Sequence, residues 1–66
     1  MELLVNGKPY QAPENISVEI LLQKLELDPQ RVVVEVNHKI LTTDQHSQAS
    51  LKKNDRLEIV HFVGGG

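Results

Sequence analysis

The chain has 66 residues, of which 39% are hydrophobic; its formal net charge is −2, and it contains no cysteine. A chain of this length forms one small domain with a thin core, which argues against a self-sufficient enzyme with a large substrate cleft. The acidic balance argues against a nucleic-acid binder, and the lack of cysteine excludes disulfides, cysteine-ligated metals and thiol nucleophiles.

The first predicted element is a β-hairpin. Residues 3–5 form a short apolar run that stops at Asn6-Gly7. This dipeptide is typical of a two-residue hairpin turn because both residues tolerate positive φ. Residues 8–11 are then the returning strand. Pro9 lies in that strand and has no N–H to donate, so we expect the strand at an edge of the sheet.

An amphipathic helix is predicted next. Ser17 is placed to cap its N-terminus, and Ile16 and Leu21 have the spacing of a hydrophobic staple. Asp28-Pro29 is expected to end the helix, because the residue before a proline disfavours the α region. The positions that recur at i, i+3, i+4 and i+7, and so form one apolar stripe, are Val18, Leu21, Leu22 and Leu25.

The second half of the chain predicts further strands. Residues 31–36 are rich in valine and lead through a turn at 37–39 into Ile40-Leu41; residues 42–50 are predicted to form a loop with one helical turn. Residues 56–63 are the last strand, with Leu57 and Ile59 towards the helix and Val60 and Phe62 on the opposite face. One helix packed on one face of a mixed sheet of four to five strands is an α+β fold.

The polar residues show no known catalytic or metal-binding pattern. The three histidines, at positions 38, 46 and 61, have no helical i, i+4 spacing and no carboxylate that completes a ligand set. We therefore interpret them as surface residues and expect no metal site and no bound cofactor. Ser17 is explained as a helix cap rather than a nucleophile.

Signals for membranes and for export are missing from the sequence. Apolar runs reach three residues, whereas a membrane span needs roughly 20. The N-terminus lacks the basic and apolar regions of a signal peptide. We therefore expect a cytoplasmic protein that binds neither membrane nor nucleic acid.

The glycines that follow the last strand are the strongest functional candidate. Gly64, Gly65 and Gly66 have no Cβ and can thread a narrow channel in a partner. Three extended residues reach roughly 10 Å, far enough to present a carboxylate to an enzyme that the domain itself cannot enter. A frayed terminus without function is the alternative.

The hairpin, the helix and the ending His61-Phe62-Val63-Gly64-Gly65-Gly66 resemble the ubiquitin-like β-grasp proteins and, most closely, the ThiS family of sulfur carriers in thiamine thiazole synthesis. The resemblance covers the whole chain, and the terminal glycine pair is its specific motif. It implies a β-grasp domain at residues 1–63 and a flexible reactive tail at 64–66.

The resemblance also implies a function and partners. A ubiquitin-activating-like adenylyltransferase would use ATP to adenylate Gly66. A sulfur donor charged by a cysteine desulfurase would then convert the adenylate to a thiocarboxylate, which would deliver sulfur to thiazole synthase. Independently of the resemblance, the missing Cβ would let Gly64 and Gly65 thread the partner's channel. Val60 and Phe62, which are apolar and lie beside this ending, are expected to form part of the docking surface; the alternative is that the 42–50 loop covers them.

Three other functions remain open on the sequence. The small subunit of molybdopterin synthase is similar in fold and chemistry but usually longer. A ubiquitin-type protein modifier would share the glycine ending. A non-covalent β-grasp binding module would carry the glycines without using them, and it would form no adenylate with ATP and an activating enzyme.

Overall fold

The computed structural model describes residues 1–62, so the predicted reactive residues Gly64, Gly65 and Gly66 lie outside the described residues. The regular elements are five strands, β1 (Glu2–Val5), β2 (Lys8–Gln11), β3 (Val32–Val36), β4 (Lys39–Leu41) and β5 (Arg56–His61), and one α-helix, α1 (Val18–Lys24). Two short 3-10 turns span Pro29–Arg31 and Thr43–Gln45.

The strands form one mixed sheet in the order β2-β1-β5-β3-β4. β1 and β5 run parallel, and the other neighbours are antiparallel. The predicted mixed sheet is therefore confirmed, with the last strand at its centre. β2 lies at an edge, as the missing N–H of Pro9 predicted.

The helix begins where the sequence predicts. The Ser17 hydroxyl accepts a hydrogen bond from the Ile20 N–H at 3.2 Å, which satisfies one of the free N–H groups of the first turn. Within the stripe, Val18, Leu21 and Leu22 are buried and Leu25 is partly buried.

The predicted end of the helix at Asp28-Pro29 is wrong, because α1 stops at Lys24. Glu26 takes a left-handed conformation (φ 59°), and its N–H donates to the Gln23 carbonyl, while the Leu27 N–H donates to the Leu22 carbonyl. This pair of bonds is a Schellman motif, which ends a helix without help from a proline. Pro29 instead begins the 3-10 turn that leads into β3.

One hydrophobic core fills the space between helix and sheet. Leu57 and Ile59 are 1% and 8% exposed, so the predicted orientation of the last strand is confirmed. The buried members of the core are Leu3, Ala12, Ile16, Val18, Leu21, Leu22, Val32, Val34, Leu51, Leu57 and Ile59.

The connection between β4 and β5 contains the predicted helical turn, at Thr43–Gln45. It then returns beside the start of α1, where the Val18 N–H donates to the Ala49 carbonyl and the Leu51 N–H donates to the Ile16 carbonyl. These hydrogen bonds attach the connection between β4 and β5 to the residues at the start of α1.

Candidate functional site

The candidate site begins at the end of β5. This strand is paired with β3 as far as Val32 opposite His61, and the Phe62 N–H still donates to the Arg31 carbonyl at 3.2 Å. β5 therefore ends at His61, whereas the sequence predicted strand to residue 63. Residues 63–66, which the structure does not describe, follow directly from a strand held in the middle of the sheet.

Val60 and Phe62 lie on the sheet face opposite the helix. Val60 is 57% exposed and Phe62 is 48% exposed, so the 42–50 loop does not cover them. Val33, directly opposite Val60 in the register, and Ile40 on β4 are further exposed hydrophobic residues on this side. We call Val33, Ile40, Val60 and Phe62 the open face.

Two carboxylates lie within this surface. Glu35 and Glu58 are directly opposite each other in the β3–β5 register, and Ile40 is the partner of Glu35 on β4. Like charges at directly opposed positions destabilise a sheet. Neither carboxylate belongs to a salt bridge formed within residues 1–62, where the two ion pairs are Met1–Glu14 and Arg31–Asp28.

A shallow groove of about 320 Å³ lies beside the same end of β5. Leu25 and Leu27, which follow the helix, form part of it together with the end of β1. The residues that line the groove are Val5, Asn6, Leu25, Leu27, Ile59 and His61.

The Asn6 side chain binds the backbone of β5 near its end. Its Oδ1 accepts a hydrogen bond from the Ile59 N–H at 2.7 Å, and its Nδ2 donates to the Ile59 carbonyl at 3.2 Å. Sequence reasoning explained Asn6 by the hairpin turn alone. The two partners are 53 residues apart, so no local pattern indicates this contact.

The three histidines differ in their exposure to solvent. His38 and His61 are exposed as predicted, but the prediction for His46 is wrong, because this residue is 3% exposed. His46 lies just after the 3-10 turn; its carbonyl accepts the Glu19 N–H, and its Nδ1 has no partner among the described residues. His46 is buried because hydrogen bonds join the 42–50 segment to the N-terminus of the helix.

The Asp44 carboxyl has a pKa below its ordinary value. The Thr42 hydroxyl donates to Asp44 Oδ1 at 2.7 Å, and this bond lowers the pKa of the fully exposed Asp44 carboxyl. In residues 1–62, no group of three or more histidine, aspartate or glutamate side chains could hold a metal ion. The same part of the chain has no helix long and apolar enough to cross a membrane.

Comparison with known proteins assigns this architecture to a family. The sequence model of the ThiS family matches residues 3–66, which includes the glycines at the end. The chain belongs to the ThiS family. The predicted ubiquitin-like β-grasp fold and the predicted family are thereby confirmed.

Individual relatives agree with this assignment. A crystal structure of the thiamine biosynthesis protein ThiS from Geobacter metallireducens superposes on this ThiS-family chain with a TM-score of 0.87, at 35% identity and with full coverage of both chains. The sulfur carrier protein ThiS of Bacillus subtilis is 35% identical over 65 residues, which are 97% of this chain and 98% of that protein.

A third relative is much longer. A protein named thiazole synthase from Magnetococcus marinus is 35% identical over 66 residues. These residues are the whole of this ThiS-family chain but 20% of the length of that thiazole synthase. A segment similar to the present chain is therefore part of a larger polypeptide in that organism.

Proposed function

We propose that this protein is a sulfur carrier that supplies sulfur for thiazole formation in thiamine biosynthesis. One observation carries the proposal: the family match continues to Gly66 and so includes the glycine ending that carrier chemistry requires. The protein acts as a co-substrate of partner enzymes in the cytoplasm. It needs no bound cofactor, since the ATP is used by the activating enzyme.

The reaction takes place at the Gly66 carboxylate in two steps. The carboxylate oxygen attacks the α-phosphorus of ATP in the adenylyltransferase, so that an acyl-adenylate forms and pyrophosphate leaves. A thiol reductant cleaves the persulfide that a cysteine desulfurase forms, and the thiol is oxidised to a disulfide as sulfide is released. The sulfide then attacks the acyl carbon; the C–S bond forms and AMP leaves. The resulting thiocarboxylate sulfur is the nucleophile that thiazole synthase consumes.

The glycines before Gly66 are proposed to allow access to the partner's reaction centre. Side chains at positions 64 and 65 would widen the segment that enters the channel, whereas glycine keeps it at the width of the backbone. A channel that excludes water protects the acyl-adenylate from hydrolysis.

The Magnetococcus marinus relative supports thiazole synthase as the acceptor. A segment similar to this chain is covalently part of a protein with that name. A covalent link keeps two segments at high effective concentration, which favours segments that work together.

The open face is proposed as the docking surface for these enzymes. Val60 and Phe62 combine exposed hydrophobic area with a position next to the segment that reacts. The opposed Glu35 and Glu58 carboxylates lie in the same surface, and a basic side chain of the partner placed between them would relieve their repulsion.

The proposed function is tested by intact mass spectrometry. The purified protein is incubated with ATP, the adenylating enzyme and sulfide, and we expect one oxygen to be replaced by sulfur within the C-terminal peptide. Addition of thiazole synthase with its substrates should return the carrier to the carboxylate. A protein that forms neither adenylate nor thiocarboxylate would instead be a non-covalent binding module.

We expect Phe62→Ala to retain the fold and to weaken binding of the adenylating enzyme about tenfold or more. Phe62 is half exposed, so its truncation removes little of the core, whereas aromatic residues at the centre of an interface often contribute more than 1 kcal/mol. The measurements are thermal unfolding and isothermal titration with the enzyme.

Ile20→Ala is the matched control for this variant. Ile20 is 40% exposed and lies on the helix, on the other side of the molecule from the open face. It should lose a similar amount of exposed hydrophobic surface without loss of affinity. Equal affinity of the Phe62→Ala and Ile20→Ala proteins would refute the open face as a docking surface, and an unfolded Phe62→Ala protein would assign Phe62 to the core.

A further inference from the structure

Two asparagines occupy equivalent places on either side of the central strand. Asn6 is the first turn residue of the β1–β2 hairpin (φ 52°), and Asn37 is the first turn residue of the β3–β4 hairpin (φ 51°). The second turn residues, Gly7 (φ 80°) and His38 (φ 71°), also have positive φ. Both hairpins therefore have the paired positive φ values of a type I′ turn.

Each of these asparagines bonds to the backbone of β5, but at opposite ends of the strand. Asn37 Oδ1 accepts the Arg56 N–H at 3.0 Å, at the first residue of β5. Asn6 binds both the N–H and the carbonyl of Ile59, two residues before the strand ends. Asn37 therefore binds the beginning of β5, and Asn6 binds the strand near its end.

The Asn6 side-chain amide binds β5 at a position that β1 does not reach. The last backbone pair between β1 and β5 is Val5 opposite Leu57, and the Asn6 N–H donates to the Leu57 carbonyl at 2.9 Å. The chain then turns away at Asn6-Gly7. Without the side-chain amide, the Ile59 N–H and carbonyl would have no partner from β1.

Ile59 is the last core residue before the reactive end. It is 8% exposed, and the three described residues that follow it, Val60, His61 and Phe62, are all exposed. Ile59 lies opposite Val34 of β3, and both of its backbone polar groups, which point away from β3, bind the Asn6 amide. Ile59 is therefore the last buried residue before the exposed end of the described chain.

We propose that Asn6 is a positioning residue for the carrier reaction: its side-chain amide fixes the end of β5 and so limits the directions in which the glycine ending leaves the domain. The proposal rests on the proposed function, because loss of Asn6 is expected to weaken the binding of the glycine ending to the adenylating enzyme. Asn6 touches no reacting atom and contributes no chemistry of its own.

The kinetic consequence is specific. If fewer molecules present the ending in the direction that fits the channel, the apparent affinity falls by the same factor as the competent fraction. Once the ending is bound, the Gly66 carboxylate meets the same surroundings. Loss of Asn6 should therefore raise KM of the adenylating enzyme for the carrier and leave kcat unchanged.

The experiment compares Asn6→Gly with Asn37→Gly. Glycine keeps the positive φ in both turns, so each variant loses the side-chain bonds without straining the backbone. We expect Asn6→Gly to raise KM about tenfold at unchanged kcat. Asn37→Gly should lower the melting temperature but leave KM within twofold of the parent, because its bond lies at the far end of β5.

A third variant and a second measurement complete the test. Asn6→Asp keeps an oxygen acceptor for the Ile59 N–H but cannot donate to the Ile59 carbonyl, so its KM should lie between those of the parent and Asn6→Gly. In NMR relaxation, the order parameters of Val60, His61 and Phe62 should fall in Asn6→Gly and stay unchanged in Asn37→Gly.

The outcomes separate this proposal from the proposed function. A parent protein that is not adenylated overturns the proposed function, and the NMR comparison then still decides whether Asn6 orders the end of β5. A parent that is adenylated, with equal KM for Asn6→Gly and Asn37→Gly, overturns the positioning role alone. Unchanged order parameters at residues 60–62 in Asn6→Gly overturn it as well.

Discussion

Deletion of Gly66 is expected to abolish formation of the thiocarboxylate while folding stays unchanged. The buried core of the described chain extends from Leu3 to Ile59, so the loss of residue 66 removes no core side chain. The shortened chain places its carboxylate about 3.5 Å short of the α-phosphate, and a nucleophile misplaced by far less already reacts poorly. Intact mass after incubation with ATP, the adenylating enzyme and sulfide is the measurement, with thermal unfolding to confirm the fold.

Two further variants separate the carboxylate from the length and width of the ending. Amidation of Gly66 keeps every backbone atom but removes the attacking oxygen, so adenylation should again be lost. The deletion variant itself still ends in a Gly-Gly carboxylate, because removal of any one of the three glycines gives the same chain, so it measures the length requirement alone. Gly65→Val keeps the length and adds a β-branched side chain, which should slow the reaction by collision with the channel.

The opposite result would be decisive. Full sulfur incorporation by the shortened protein would show that the length of the ending is not required, and incorporation by the amidated protein would show that the terminal carboxylate is not the acceptor. Loss of the fold in the same variant would show that residues beyond 62 contribute to the core.

Local signals in the sequence predicted the elements that local physics determines. Asn6-Gly7 specified the first hairpin because both residues adopt positive φ at small cost. Ser17 specified the start of the helix through its bond to the Ile20 N–H. The alternation of the last strand placed Leu57 in the core, because successive side chains point to opposite faces.

The features that were missed either lack their usual local signal or depend on distant parts of the chain. The helix ends at a Schellman motif with Glu26 in the left-handed position, where the usual glycine signal is missing. His46 is buried because its segment packs at the helix N-terminus, a contact that the polar composition of residues 42–50 does not indicate. The bond from Asn6 to Ile59 connects opposite ends of the sequence.

The chain keeps its stability and its proposed chemistry in adjacent but separate segments. Among residues 1–62, the buried side chains come from positions up to Ile59, and the reaction is proposed to take place at Gly66. The central strand joins the two, because it is paired with β1 at its first two residues and with β3 from Leu57 to His61, shortly before the glycines in the sequence. A substitution in the core should therefore change the free energy of unfolding without changing the chemistry of the folded protein.

Ile59→Ala provides the sharpest test of that separation, and we expect it to lower the free energy of unfolding by about 2–5 kcal/mol. Ile59 is 8% exposed and belongs to the core beneath the helix, so truncation removes buried area and leaves a cavity. The total stability of a domain of this size is about 3–10 kcal/mol, so the loss is a large fraction of it. Urea unfolding followed by circular dichroism measures the difference.

Val60→Ala is the matched control, because it truncates the next residue of the same strand on the exposed face. Val60 is 57% exposed, so its loss should cost less than about 1 kcal/mol. Parent-like unfolding of Ile59→Ala together with unfolding of Val60→Ala would show that the strand is shifted by one residue.

The folded fraction of Ile59→Ala should still react normally. Alanine keeps the N–H and the carbonyl that bind the Asn6 amide, so the end of β5 remains held in its register. At a temperature well below its unfolding transition, the variant should therefore show the parent KM for adenylation despite its lower stability. A raised KM under those conditions would mean that the Ile59 side chain, and not its backbone alone, directs the ending towards the partner.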